Sequence, residues 1–168
     1  MISKPNDTEY APYYARYVAL IADDAAMAYL KDLSFYNSLK ELPEDKWNFK
    51  YQPEKWSIKE VLLHLIDTER IFAYRALRIS RQDYTPLPGF DQDAYVPHYD
   101  VDNRSVDSLL EEFKTCRASS LALFKNFNDS QLLEVGEASD KSISVRALVY
   151  LIAGHQKHHA NIIKERYL

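Results

Sequence analysis

Trp56-Ser57-Ile58-Lys59-Glu60-Val61-Leu62-Leu63-His64-Leu65-Ile66-Asp67-Thr68-Glu69 is the stretch on which the fold turns. Ser57 and Glu60 make an S-x-x-E capping box. Each side chain satisfies a backbone N–H that the first helical turn leaves unpaired. An apolar run follows the box, and no proline occurs before Pro86. The spacing therefore predicts a helix from Ser57 to about Arg81. Arg75, Arg78 and Arg81 crowd its end, where cations suit the negative pole of the helix dipole. They read as a solvated, dipole-matched face rather than as nucleic-acid contacts.

Working outward, the prolines at 5, 12, 43, 53, 86, 88 and 97 divide the remaining chain. A proline lacks the N–H and clashes with the preceding turn, so it does not sit inside a helix. The proline-free windows run over 13–42, 54–85 and 98–168, and each carries helical periodicity. In the first, Ala26, Leu30, Leu33, Tyr36 and Leu39 recur, with Asp23 as the expected N-cap and a short turn within 10–22. A third helix is expected after Ser105, with Val106, Leu110, Phe113, Cys116, Ser120, Phe124 and Phe127 on its apolar side. Asn126–Ser130 and Gly136 read as loop. A fourth helix starts near Ser142 or Ser144 and runs to the end. Val145, Leu148, Val149, Ile152, Ile163 and Tyr167 mark its buried side. The expected fold is an all-α four-helix bundle in a single domain over 1–168, with long connections at 43–56 and 83–104. A connection of about 20 residues in a compact domain is often functional.

Composition narrows the function. The chain has 168 residues, 46% hydrophobic, enough to bury a core without disulfide or metal staples. Its one cysteine, Cys116, can make neither an internal disulfide nor a cysteine-based zinc site. A net charge of −4 disfavours generic nucleic-acid binding. Three glycines are too few for a phosphate-cradling loop. The apolar runs are too short for a membrane span. Met1–Asp7 has no apolar signal core, so the expected location is the cytoplasm.

The histidines carry the chemistry. Gly154-His155-Gln156-Lys157-His158-His159 holds three of the five. With Ile152 set at 0° on a helical wheel, His159 falls at about −20° and His155 at about −60°, within the apolar stripe. His158 falls at about −120°, on the flank. His155 and His159, at i and i+4, thus face the interior with Cβ atoms about 5–6 Å apart. Two imidazoles so placed can reach one divalent ion at about 2.0–2.1 Å each. Two core histidines satisfied by hydrogen bonds would give the same pattern. Gln156 stands where the H-E-x-x-H protease motif has its glutamate. His64 is the other histidine in a predicted helix, but that helix is apolar around much of its circumference, and periodicity leaves the direction of His64 open. It shares a face with Thr68, Ile71 and Arg75. His98 lies in the long connection and is expected to be exposed.

These residues resemble the DinB/YfiT-like superfamily. The Trp56–Glu69 stretch is similar to that family's second-helix signature, and Gly154–His159 with Ile162-Ile163 to its last-helix signature. Leu87-Pro88-Gly89-Phe90-Asp91-Gln92-Asp93 and Ile163-Lys164-Glu165-Arg166-Tyr167 are similar to one subgroup. The resemblance implies a four-helix bundle with a divalent metal on three histidines, matching His64, His155 and His159 here. Zn or Ni comes first among the ions that imidazole suits, then Fe or Mn. It also implies a homodimer. Its functional implication is a metal-dependent transferase using a low-molecular-weight thiol such as bacillithiol, mycothiol or glutathione, or a hydrolase, acting on a small molecule. The alternative is a non-catalytic, metal-stabilised binding or stress-response protein. The family is distinct from the lesion-bypass polymerase of the same name.

No general base is assigned. Asp67, Glu69 and Glu60 neighbour His64 in sequence and are candidates to orient it. Asp91 and Asp93 in the long connection are candidates for the pocket. Each reads better as a solvated surface charge. Tyr95 and Tyr150 are further pocket candidates, and Gly154 is read as a point of close helix approach or a tolerated small residue.

Overall fold

A computed structural model describes all 168 residues. Its longest helix is α4, Ile58–Ser80, and the capping box forms as expected: the Ser57 hydroxyl accepts from the Glu60 N–H, and Glu60 accepts from the Ser57 N–H. Ser105 caps the helix Val106–Phe124, and Ser144 caps the helix Val145–Ile162. In chain order the helices are α1 (Ala15–Val18), α2 (Ala26–Lys31), α3 (Ser34–Lys40), α4, α5 (Gln92–Tyr95), α6 (Val106–Phe124), α7 (Asp129–Leu133) and α8 (Val145–Ile162). A π-helical turn, Ile163–Tyr167, ends the chain.

The chain is an all-α four-helix bundle with a small two-stranded sheet. Helix α4 packs on both α6 and α8, and α2 packs on the same two from the opposite side. The first bundle position is therefore shared among the short helices α1 to α3. The expected continuous first helix is broken at Asp32-Leu33. The Asp32 carboxylate accepts from both the Ser34 N–H, at 2.9 Å, and the Ser34 hydroxyl, at 2.7 Å. This side-chain cap competes with the helical hydrogen bond and restarts the helix. Leu33 is left half exposed instead of in the core. Asp23 is not the cap of α2; Ala25 precedes it without a side-chain cap.

The segment expected as loop around Gly136 is an antiparallel hairpin of β1, Val135–Ala138, and β2, Lys141–Ser144. Ser139 and Asp140 both have positive φ, 55° and 59°. This is the twisted two-residue turn that a tight hairpin needs. Leu87 from the long connection joins its edge: the Leu87 N–H donates to the Glu137 carbonyl, and the Ser139 N–H donates to the Leu87 carbonyl, both at 3.0 Å. The 83–104 connection is thereby pinned across one end of the bundle.

The core divides into two apolar clusters. One gathers Val18, Leu30, Phe72, Ile79, Phe124, Leu148 and Ile152; the other gathers Trp47, Ile58, Leu62, Leu109, Phe113 and Tyr167. The predicted inner face of α8 is buried throughout. Between α4 and α6 lies a buried ion pair, Arg117 with Glu69, at 2.7 Å. No helix is long and apolar enough to cross a membrane.

Candidate metal centre

His64 projects from α4, and His155 and His159 project from successive turns of α8. Their Nε2 atoms meet. His64 Nε2 lies 2.9 Å from His155 Nε2, and His159 Nε2 lies 3.1 Å from the same atom. One coordinating nitrogen from each falls within 4.8 Å of the others. His64 and His155 are buried, and His159 is partly so.

Hydrogen bonding alone does not satisfy this arrangement. A ring nitrogen offers either one proton or one lone pair, so it serves one neighbour. His155 Nε2 faces two. With a single proton or lone pair there, at most one of the two short contacts is a well-formed hydrogen bond. A cation on the common side of the rings resolves the conflict. Burial also lowers the pKa of all three: His64 to about 4, His159 to about 3, and His155 well below the usual value. Their mutual proximity adds to the effect at His155 and His159. Near neutral pH the rings are neutral and their lone pairs are available. An all-nitrogen set of three suits a divalent transition ion with positions left over for small molecules.

A ring bound through Nε2 carries its proton on Nδ1, and that proton needs an acceptor. For His64 the nearest is the buried Thr68 hydroxyl, 3.5 Å from Nδ1. The candidate acids are engaged elsewhere. Glu60 serves the capping box and Lys50, Glu69 holds Arg117, and Asp67 pairs with Tyr99 and Arg70. Thr68, one turn after His64, was visible on the wheel as a residue of the same face.

Aromatic rings frame the trio. Trp56 lies 4.9 Å from the His64 ring, and Tyr17 lies 5.4 Å from the His155 ring and 5.2 Å from that of His158. Tyr17 comes this close because Gly154 has no side chain. A Cβ there would overlap the Tyr17 carbonyl. The Tyr167 hydroxyl donates to the Trp56 carbonyl at 2.5 Å, tying the last turn to the start of α4.

Two clefts lead to the trio. One of about 370 Å³ is lined by His155 with Tyr14, Tyr17, Thr68, Phe72 and Phe90. The other, of about 210 Å³, is lined by His159 with Tyr51, Trp56, Asp93 and Tyr167. Asp93 thus reaches a cleft wall, whereas Asp91 caps α5. Tyr95 is exposed beside Phe90, and Tyr150 is buried in the core with its hydroxyl donating to the Ile2 carbonyl. His98 is exposed, and His158 lies on the flank.

The end of α4 departs from the expected solvated face at one residue, Arg75. Arg78 pairs with Asp83 and Arg81 is exposed, as a solvated face requires. Arg75 is instead only 2% exposed. It donates to the Pro88 carbonyl at 2.7 Å and to the Ser139 hydroxyl at 3.1 Å. Its guanidinium lies 5.7 Å from the ring centres of both Phe72 and Phe90. It fastens the long connection and the hairpin tip to α4, and so builds the rim of the larger cleft. Nothing in local sequence distinguishes it from Arg78.

The sequence pattern of the DinB superfamily matches residues 34–163. A curated protein of Oceanobacillus iheyensis, bearing the name "Putative metal-dependent hydrolase", is 23% identical over 143 residues, spanning 81% of this chain and 82% of its own. The solved structure of YfiT from Bacillus subtilis, described as "a probable metal-dependent hydrolase with an unusual four-helix bundle topology", superposes with a TM-score of 0.71 at 16% identity. The match covers 96% of this chain and 90% of that one. The family match and the shared bundle agree with the resemblance read from Trp56–Glu69 and Gly154–His159: the chain belongs to the DinB superfamily.

Proposed function

We propose that this protein is a metal-dependent enzyme acting on a small electrophilic molecule, with His64, His155 and His159 as the ligands of one divalent ion. The observation that carries the reading is the pair of clefts. A purely structural site is closed, whereas this trio borders one cleft through His155 and another through His159. A divalent ion held here supplies Lewis acidity and eases deprotonation of a bound water or thiol.

The chain's own residues supply the rest. The three neutral rings add no negative charge, so the full charge of the ion remains for the reacting group. Thr68 fixes the orientation of the His64 ring. Tyr14, Phe72 and Phe90 give the larger cleft an apolar side against which the organic part of a substrate can pack.

Hydrolysis needs only water as co-substrate and accords with the names of the relatives. Thiol transfer is the second reading. It requires a low-molecular-weight thiol from outside, because burial pushes the Cys116 thiol up to about 12. The test is a single turnover of an activated ester and of an alkyl halide, with and without added thiol, by metal-loaded wild type and by His155→Ala. Product without thiol identifies a hydrolase, and product only with thiol identifies a transferase. No turnover of either, with metal and stability lost together in His155→Ala, identifies a non-catalytic, metal-stabilised protein.

A further inference from the structure

Two arginines beside the His155 cleft have no acidic partner. Arg70, Arg78, Arg104, Arg117 and Arg146 each pair with a carboxylate, whereas neither Arg75 nor Arg16 has one within 4.0 Å. Arg75 is buried, and its hydrogen bonds to the Pro88 carbonyl and the Ser139 hydroxyl leave its charge uncompensated. Its neighbours Phe72, Phe90 and Ser139 all line the cleft, so that charge stands just behind the wall.

Arg16 is exposed and stands on the lining itself. Its guanidinium carbon lies 4.7 Å from the centre of the Tyr17 ring, and its Nη2 donates to the Tyr17 hydroxyl at 2.9 Å. Tyr17 in turn lies 5.4 Å from the His155 ring. One small molecule can therefore touch both Arg16 and the histidine trio. Stacking on Tyr17 also restrains the Arg16 side chain, so less freedom is lost when it holds a ligand.

No aspartate or glutamate lines this cleft. Asp91 and Asp93, on either side of Gln92, serve elsewhere: Asp91 caps α5, and Asp93 lines the other cleft together with Glu54 and Lys55. The two entrances to the trio thus differ in charge. The His159 side carries both signs. The His155 side carries positive charge alone, and its low-dielectric walls focus the field on whatever enters.

We infer that the His155 cleft selects a small organic anion, with an apolar body that packs on Tyr14, Phe72 and Phe90 and a terminal carboxylate held by Arg16. Arg16 is the one lysine or arginine on the lining, which suits a singly charged carboxylate rather than a phosphate. The inference rests on the proposed metal centre only for the reacting end of the molecule, which faces His155. Arg16 determines specificity and does not touch the reacting atoms.

The probes are 3-phenylpropionate and 3-phenylpropionamide, which match in shape and differ in charge. Binding to zinc-loaded protein is followed by titration calorimetry and protein-observed NMR. The acid is expected to bind roughly five- to ten-fold tighter than the amide, the ratio for one charge-assisted pair at a partly open site. Resonances of Tyr14, Phe72 and Phe90 shift. Arg16→Gln, at an exposed position, brings the two ligands within roughly two-fold, and Arg16→Lys keeps part of the preference. A carboxylate sitting on the ion instead would keep its preference in Arg16→Gln and lose it with EDTA. That result, equal binding of acid and amide by wild type, or no binding of either overturns the inference. In protein that holds no ion after loading, a preference that still depends on Arg16 would sustain this subsite while the metal reading fails, so the two failures are told apart.

Discussion

Gly154→Ala sets two physical effects of known sign against each other. In an isolated helix the change is stabilising, because alanine exceeds glycine in helix propensity by about 1 kcal/mol. Here the new Cβ would lie 2.6 Å from the Tyr17 carbonyl carbon and 3.1 Å from its Cα, and closer still to the carbonyl oxygen. Carbon atoms rest at about 3.5–4.0 Å, so the α1 backbone must retreat from α8 by about 1 Å. The obstacle is main chain, and no flexible side chain can swing away. Overpacking of this kind costs about 1–3 kcal/mol. Because the obstacle is backbone, the upper part of that range applies, and the net expectation is a loss of about 1–2 kcal/mol after the propensity gain. For a chain of this size each kcal/mol lowers Tm by about 2–4 °C. The retreat also draws Tyr17 away from His155 and His158, so metal affinity should fall with stability. Urea denaturation of the metal-free protein measures the first effect, as a lower midpoint with an unchanged slope. Competition with a chromophoric chelator measures the second. A variant more stable by about 1 kcal/mol, binding metal as wild type does, would refute the seating of α1 on Gly154.

Three other outcomes follow from the same structure. Glu69→Gln leaves the Arg117 guanidinium buried without its counter-charge and should cost about 3–5 kcal/mol in chemical denaturation; a loss below about 1 kcal/mol contradicts the buried pair. Acid should destabilise the metal-free protein. The pKa of His64 is about 4 folded against 6.5 unfolded, so between these values the unfolded chain binds more protons and stability falls as pH falls. The shift corresponds to roughly 3 kcal/mol for His64 alone, and denaturation midpoints that stay constant from pH 7 to about 4 contradict it. Thr68→Val removes the hydroxyl beside His64 Nδ1 and should weaken metal affinity by about 10–100-fold without unfolding the chain; unchanged affinity assigns Thr68 to packing alone.

The parts of the fold legible in sequence are those governed by local rules. The Ser57 and Glu60 box set the start of α4, Ser105 and Ser144 set the starts of α6 and α8, and the wheel separated the inner face of α8 from its flank. The break at Asp32 was hidden because a carboxylate serving a neighbouring serine leaves the apolar spacing intact on both sides. The hairpin was hidden because its turn is Ser139-Asp140, without the glycine that usually announces positive φ. Arg75 was misread for a tertiary reason: Pro88, Phe90 and Ser139 reach it from distant parts of the chain and bury it.

The candidate site divides in the same way. The periodicity of α8 turned His155 and His159 inward, but the direction of His64 came from family resemblance, since α4 is apolar on most sides. The wheel could not foresee that all three Nε2 atoms would converge, because that depends on how α4 and α8 cross. Nor could it foresee the clefts, whose walls come from Tyr14 and Tyr17 at one end of the chain and Tyr167 at the other.

The convergence of His64, His155 and His159 on one ion is tested most directly by elemental analysis of protein purified without a polyhistidine tag, alongside the three single alanine variants. About one divalent ion per chain is expected in wild type after loading with Zn, Ni, Mn or Fe, with that ion lost in each variant. Fewer than about 0.1 ions per chain in wild type after loading, or full retention in His64→Ala, would contradict it.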